Sequence, residues 1–519
     1  MATTFFKFPS RSLITAAFNG ISHRSSKVTF KQKSLDYLLQ NEDYKSISVQ
    51  RNSTPLAFQV RQINWNTNSA INLVKNLSVS ETVQALYLMR PEDFSETWKW
   101  ELDSVLSSKL QQCGIQEGLY LASAFLLVTT ARKPSTPSEL KKSVFYQSLL
   151  ERMVIWIKSA SDPKHLVLLA YLAGLGKSDQ KAIWRLRELY DRFRIHLGLF
   201  RSLTIDEAAI ICNSWFTANI FISSRALLRI LEPLLMIELN SNGPTAYALP
   251  LLKVMRRADF STDELLNTVS VSLSSPSTLK LNLALVTHTL AILADQNFSV
   301  NDALVKNVID IIDANKHVPI INKQVFHPTE GVREKDITRL MWCLSCLVSK
   351  ETDKQQIASK MIDLVERYLN LGLFNGRDQL LLDFLLSLAS WQIYPRHIIE
   401  PLITESFINK FLKEQIAERH WQLALFLWMA RLEVPHLNLP WECYHTVAEH
   451  LGPVNPKNEL RKRRYLSRLF ETVKTQAAVE GWENVQCTYV VPHLNIAGIT
   501  FDNGRYYFKS NETRTKTNK

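Results

Sequence analysis

From about residue 70 onwards, apolar residues recur every three or four positions in segments separated by short polar breaks, as in "ELLNTVSVSL", "NLALVTHTLAILA" and "ALVKNVIDII". That period predicts consecutive amphipathic helices. Three of the intervening turns align with one another: "IFISSRALLRI", "DFSTDELLNTV" and "NFSVNDALVKN". Their phenylalanines, Phe221, Phe260 and Phe298, are spaced by 39 and then 38 residues. Three positions later stand Ser224, Asp263 and Asn301, whose side-chain oxygens suit a helix N-cap. Six positions later stand Leu227, Leu266 and Leu304. The unit reads as helix–turn–helix: the Phe staples the turn, the polar residue starts the second helix, and the Leu packs back. Such a unit cannot bury its apolar face alone, so stacking into a solenoid is expected. A plain helical bundle is the competing architecture.

The pattern changes near the end. "NVQCTYVVPHLNIAGITFDNGRYYFKS" (484–510) reads as two strands and a turn, with Asp502-Asn503-Gly504 a good hairpin turn. A strand pair of this size is marginal unless it packs on something else. The predicted fold class is mainly α, a helix–turn–helix repeat solenoid with a short β segment at the C-terminus.

Composition agrees. At 519 residues the chain can form several cores. Hydrophobic residues make up 46% and glycine only 14 positions, so turn-rich sheets and phosphate loops have little to draw on. "LYLASAFLLVTT" (119–130) falls short of the ~18 residues that cross a bilayer, and no membrane span is expected. The first residues carry Lys7, Arg11, Arg24, Lys27, Lys31 and Lys33, many hydroxyls, and no acid before Asp36. This is the composition of a mitochondrial transit peptide, which predicts delivery to the matrix; the alternative is a basic arm that binds nucleic acid directly.

The net charge of +12 and a pI near 9.3 call for a polyanionic partner, RNA or DNA, although basic mitochondrial proteins share this balance for other reasons. "KAIWRLRELYDRFRIHLGLFR" shows how a basic groove could arise. Ile183, Leu186, Tyr190, Phe193 and Leu197 form an apolar stripe, with Arg185 and Arg192 along one flank and Arg187 and Arg194 along the other. Rows of arginine can track a phosphate backbone while aromatic neighbours stack on bases. Arg201, then Arg256 and Arg257 beside Lys253, and the run Arg461, Lys462, Arg463 and Arg464 extend the candidate RNA-binding set. The alternative for each is a solvated helix face.

Catalytic patterns are not found. "GLGKS" (174–178) lacks the glycine a phosphate-binding loop needs, Tyr171 standing in its place. There is no Gly-rich kinase loop, "HRD" or "DFG", and no "HExxH" or "GxSxG". The thiols of "CLSC" (343–346) have no second pair at zinc spacing and read as core. No catalytic residue, metal or cofactor is therefore expected.

The C-terminal third carries a resemblance. "DQLLLDFLLSLASWQIYPRHIIEPLITESFINKFLK" (378–413) resembles the first conserved region of the FAST kinase domain-containing family through Asp383, Leu388, Tyr394, Pro395 and Phe407. "WQLALFLWMARLEVPHLNLPWECYHTV" (421–447), with Pro435, Leu439 and Pro440 in its loop, is similar to the second region. "VQCTYVVPHLNIAGITF" is similar to the strand–turn–strand entering the family's RAP domain, with Val490, Pro492 and His493 in the turn. The resemblance implies a mitochondrial RNA-binding protein controlling stability, processing or translation of organellar transcripts, with other mitochondrial RNA-processing proteins as further partners. The RAP module resembles a nuclease-like fold, but Ile496-Ala497-Gly498 stands where an acid is expected, and the segment reads as truncated, so the protein is expected to bind rather than catalyse. The expected layout is 1–45 mitochondrial transit peptide and disordered arm, 46–330 helical repeats, 331–413 first FAST-like region, 414–485 second FAST-like region, and 486–519 an incomplete RAP-like β segment with a basic tail. The runner-up function is a helical protein–protein scaffold in the matrix without RNA of its own.

Overall fold

The computed structural model describes residues 68–88, 96–130, 137–240, 247–275, 283–316, 333–413, 417–450, 464–480, 484–489 and 497–502. The expected transit peptide lies outside them. The described chain is mainly α-helical, and its contacts divide it into two compact units between Asp336 and Ile337. The expected boundary at 330/331 also lies outside the described residues. Among the described residues no helix is long and apolar enough to cross a membrane.

In the first unit successive helices alternate between two layers. One layer stacks α1 (Asn68–Asn76), α3 (Glu96–Leu110), α6 (Val144–Ser159), α8 (Gln180–Ile195), α11 (Arg225–Leu239), α13 (Asp263–Ser274) and α15 (Asp302–Lys316). The other stacks α2 (Val79–Leu88), α4 (Ile115–Thr130), α7 (Pro163–Leu175), α10 (Ile205–Thr217), α12 (Ala248–Arg257) and α14 (Leu283–Asp295). Short helices α5 (Pro137–Lys142) and α9 (Leu197–Arg201) sit in the connections. Each helix therefore touches its sequence neighbours in the opposite layer or its repeat neighbours in its own, which is the solenoid the sequence pattern predicts. The second layer is the drier one: in α14 every position from Leu283 to Ala294 is buried.

The repeated turn is a Schellman motif, and its register differs by one residue from the sequence alignment at the first copy. Asn219, Asp259 and Asn297 take left-handed backbone, with φ of 58°, 48° and 50°. The amide after each, on Ile220, Phe260 and Phe298, closes on the carbonyl five residues back, of Trp215, Met255 and Leu293. Ile220, not Phe221, thus occupies the stapling position; Ile220 is 5% exposed and Phe221 57%. Ser224 and Asn301 cap their helices as expected, accepting from Leu227 N and Leu304 N. At the middle copy Thr262 takes that role, accepting from Leu265 N, and Asp263 becomes the first helical residue. Leu227, Leu266 and Leu304 are all buried.

The second unit contains α16 (Glu334–Leu347), α17 (Glu351–Asn370), α18 (Asp378–Ala389), α19 (Arg396–Leu402), α20 (Glu405–Lys413), α21 (Ala417–Glu433), α22 (Cys443–His450) and α23 (Arg464–Val479). Thr338 Oγ1 donates to Leu380 O at 3.1 Å and Gln379 Nε2 to Gln422 Oε1 at 2.5 Å, joining α16 to α18 and α18 to α21. The Schellman turn recurs at Gly372 and Gln392. Strands β1 (Asn484–Tyr489) and β2 (Ala497–Asp502) pair antiparallel with Cys487 opposite Ile499. The pair therefore closes across 490–496; Asn503 and Gly504 of the expected hairpin turn lie outside the described residues.

Candidate nucleic-acid interface

One cluster of arginines is built on an aromatic core. Phe193 on α8, Phe200 on α9 and Trp215 on α10 are fully buried; Phe200 stacks on Trp215 at 5.9 Å between centroids and meets Phe193 edge-on at 5.2 Å. Such contacts contribute about 0.5–1.5 kcal/mol per pair beyond burial. They pin the short helix α9, which carries the next residue, Arg201, outward into solvent. Tyr190, also on α8, sets the other wall. Its hydroxyl accepts from the amides of Ser223 at 3.1 Å and Ser224 at 3.0 Å, satisfying two donors at the start of α11. Arg225 then falls at the first helical position and Arg229 one turn on.

Arg201, Arg225 and Arg229 line an open cleft of ≈ 700 Å³ together with Ala226, Ile230, Pro233 and Leu234. Among the described residues no carboxylate lines it. All three arginines are exposed, and none has an ion pair or hydrogen bond among the described residues. Arg187, on α8, is exposed and unpaired in the same sense.

The other arginines expected to bind RNA are engaged within the fold. Arg185 is tucked against α8, its side chain 12% exposed and paired with Glu188 at 2.5 Å. Arg192 reaches back one repeat to the carbonyl of Ala160, which ends α6, and also contacts His196 Nε2 at 2.8 Å. Arg194 is exposed but pairs with Asp191 at 3.1 Å. Arg256 binds Asp295 at 2.7 Å across α12 and α14. Arg257 donates to the carbonyl of Phe216 at 2.9 Å, and burial lowers its pKa. Arg152, which the sequence reading did not single out, does the same to the carbonyl of Cys113 at 2.9 Å, just past α3. Arg152, Arg192 and Arg257 thus neutralise the electronegative C-terminal ends of helices in the preceding repeat, a structural use of charge. Arg461, Lys462 and Arg463 lie outside the described residues; Arg464 opens α23, and its side chain is not described.

Arg225 and Arg229 were missed by the sequence reading, yet a signal exists. Like charges four apart on a helix repel, and cations at a helix N-terminus oppose the macrodipole. An arginine pair placed there costs stability locally and so points to use elsewhere.

Other expected features resolve simply. "GLGKS" is the end of α7, a turn at Gly176 and the approach to the Asp179 cap of α8, between helices on both sides. Cys343 is core, but Cys346 is exposed, against the expectation that both thiols pack inside. The residues described contain no group of three or more His, Cys, Asp or Glu side chains arranged to hold a metal ion. Compared with known proteins, the chain matches no family model and no curated sequence.

Proposed function

We propose that the protein binds RNA in the mitochondrial matrix and, through it, governs the stability, processing or translation of organellar transcripts. The observation that carries this reading is the cleft lined by Arg201, Arg225 and Arg229 with no carboxylate from the described residues among its walls. Three guanidiniums without partners among the described residues form a standing site for phosphates, and the chain's net charge of +12 adds long-range attraction. The basic, acid-free N-terminus and the resemblance of 378–447 to the FAST family support the compartment and the class of role. The reading assigns binding, not catalysis, to this chain.

A scaffold role is the second reading. It is favoured by Ile155, Ile195, Ile237 and Val271, exposed apolar residues on four helices of one layer. Ultraviolet crosslinking in isolated mitochondria, with sequencing of RNA recovered on this protein, separates the two. Enrichment of one or a few organellar transcripts supports RNA binding; recovery no better than a basic matrix control leaves the scaffold in front.

A further inference from the structure

Resting on that RNA-binding reading, we infer that the cleft between α9 and α11 takes a short single-stranded RNA segment, phosphates on the arginines and base faces on the apolar floor. Arg225 and Arg229 lie on one face of α11, about 6 Å apart along its axis, the order of a single nucleotide step in an extended strand. Arg201 stands across from them on a different helix. Beyond Arg229 on α11 the lining continues in the apolar side chains of Ile230, Pro233 and Leu234. A duplex keeps its base faces stacked inside and presents backbone and base edges to such a surface; an unpaired strand offers base faces to an apolar platform and phosphates to the cations beside it.

Pro233 adds an acceptor. It stands inside α11, four residues after Arg229. Having no N–H, it cannot close the helical hydrogen bond on the Arg229 carbonyl, and both residues line the cleft. A carbonyl without its helical donor, beside bound phosphates, is placed to accept from a ribose 2′-hydroxyl, the group that separates RNA from DNA.

The test is fluorescence anisotropy on the full chain with a short labelled single-stranded RNA, an RNA hairpin and single-stranded DNA of the same sequence. The variants are Arg225→Ala/Arg229→Ala and Ala226→Glu, all at exposed positions without partners, so the fold is expected to survive. Single-stranded RNA should bind best, and the double variant should weaken it about tenfold while lowering the salt slope by about 1.4, two single-strand phosphate contacts. Ala226→Glu should weaken binding similarly by placing a carboxylate in the cleft. Equal binding of the hairpin overturns the single-strand assignment while leaving RNA binding intact. DNA binding as tight as RNA removes the ribose contact. Tight RNA binding unchanged in both variants moves the site off this cleft, and competition by polyglutamate as strong as by RNA overturns base stacking. No binding to any nucleic acid ends the RNA reading itself.

Discussion

The guanidinium of Arg257 lies 4.0 Å from the centroid of the Phe216 ring and donates to the carbonyl of the same residue at 2.9 Å. One cation thus covers an aromatic face and fills an orphaned acceptor at the end of α10, tying one repeat to the next. Arg257→Ala removes both contacts and should lower stability by about 2 kcal/mol. Its effect on RNA affinity, measured on the folded variant, should be small. Arg225→Ala/Arg229→Ala should show the reverse: a melting temperature at or above the parent's, because like charges four apart at a helix N-terminus are removed, and much weaker RNA binding. Thermal melts beside binding titrations check the dissociation; a variant pair that loses both properties together contradicts it.

Tyr190 offers a test in which no charge changes. Tyr190→Phe keeps the ring and deletes the acceptor for Ser223 N and Ser224 N. These amides are partly solvated, so the cost should be about 1–2 kcal/mol. Because the same hydroxyl sets the start of α11, RNA binding should weaken too, although no arginine is touched. Unchanged affinity would show that the start of α11 is fixed by Ser224 alone.

The Schellman turns carry avoidable strain. Asn219 and Asn297 hold φ of 58° and 50°, a region where a side chain costs energy and glycine does not. Asn219→Gly and Asn297→Gly should each raise stability by up to about 1 kcal/mol, the relief of left-handed backbone less glycine's greater freedom in the unfolded chain, read from the urea midpoint. A loss of stability would mean the asparagine side chains contribute more than their backbone costs.

Asp383 supplies a pH dependence. Burial raises its carboxyl above the ordinary value of 3.8, and hydrogen bonds from Gln379 and Gln422 with the charge of Arg419 offset only part of this. Folding therefore favours its protonated form. The stabilisation is full below the ordinary carboxylate value and is lost as pH rises through the raised one. Asp383→Asn should flatten that segment of the curve of unfolding midpoint against pH. Parallel curves for parent and variant would contradict the assignment.

Much of the architecture was legible because helical period and capping chemistry are local. Leu227, Leu266 and Leu304 sit where the repeat placed them, and Ser224 and Asn301 cap as their types suggest. The slip at Phe221 has a physical reason: Ile220 and Phe221 are adjacent and both apolar, and only the left-handed turn at Asn219 decides which one points inward. The site was less legible. An arginine that binds phosphate and one that caps a helix in the preceding repeat look alike in sequence, since the partner is a backbone carbonyl some thirty to forty residues away, as for Arg192 and Arg257. The same holds for Asp103, whose carboxylate accepts from Ser143 Oγ and Val144 N at 2.6 Å and so anchors α6 from the preceding repeat. Arg225 and Arg229 follow directly on the Ser224 cap that the repeat already marks, so their cost at a helix N-terminus was open to reading from the sequence.

The central claim is tested most directly by photo-crosslinking the full chain to single-stranded RNA and mapping the modified peptides by mass spectrometry. Crosslinks concentrated between 197 and 239, around Arg201, Arg225 and Arg229, are the expected result. Crosslinks spread evenly over basic peptides, or none above a non-binding control, would contradict it.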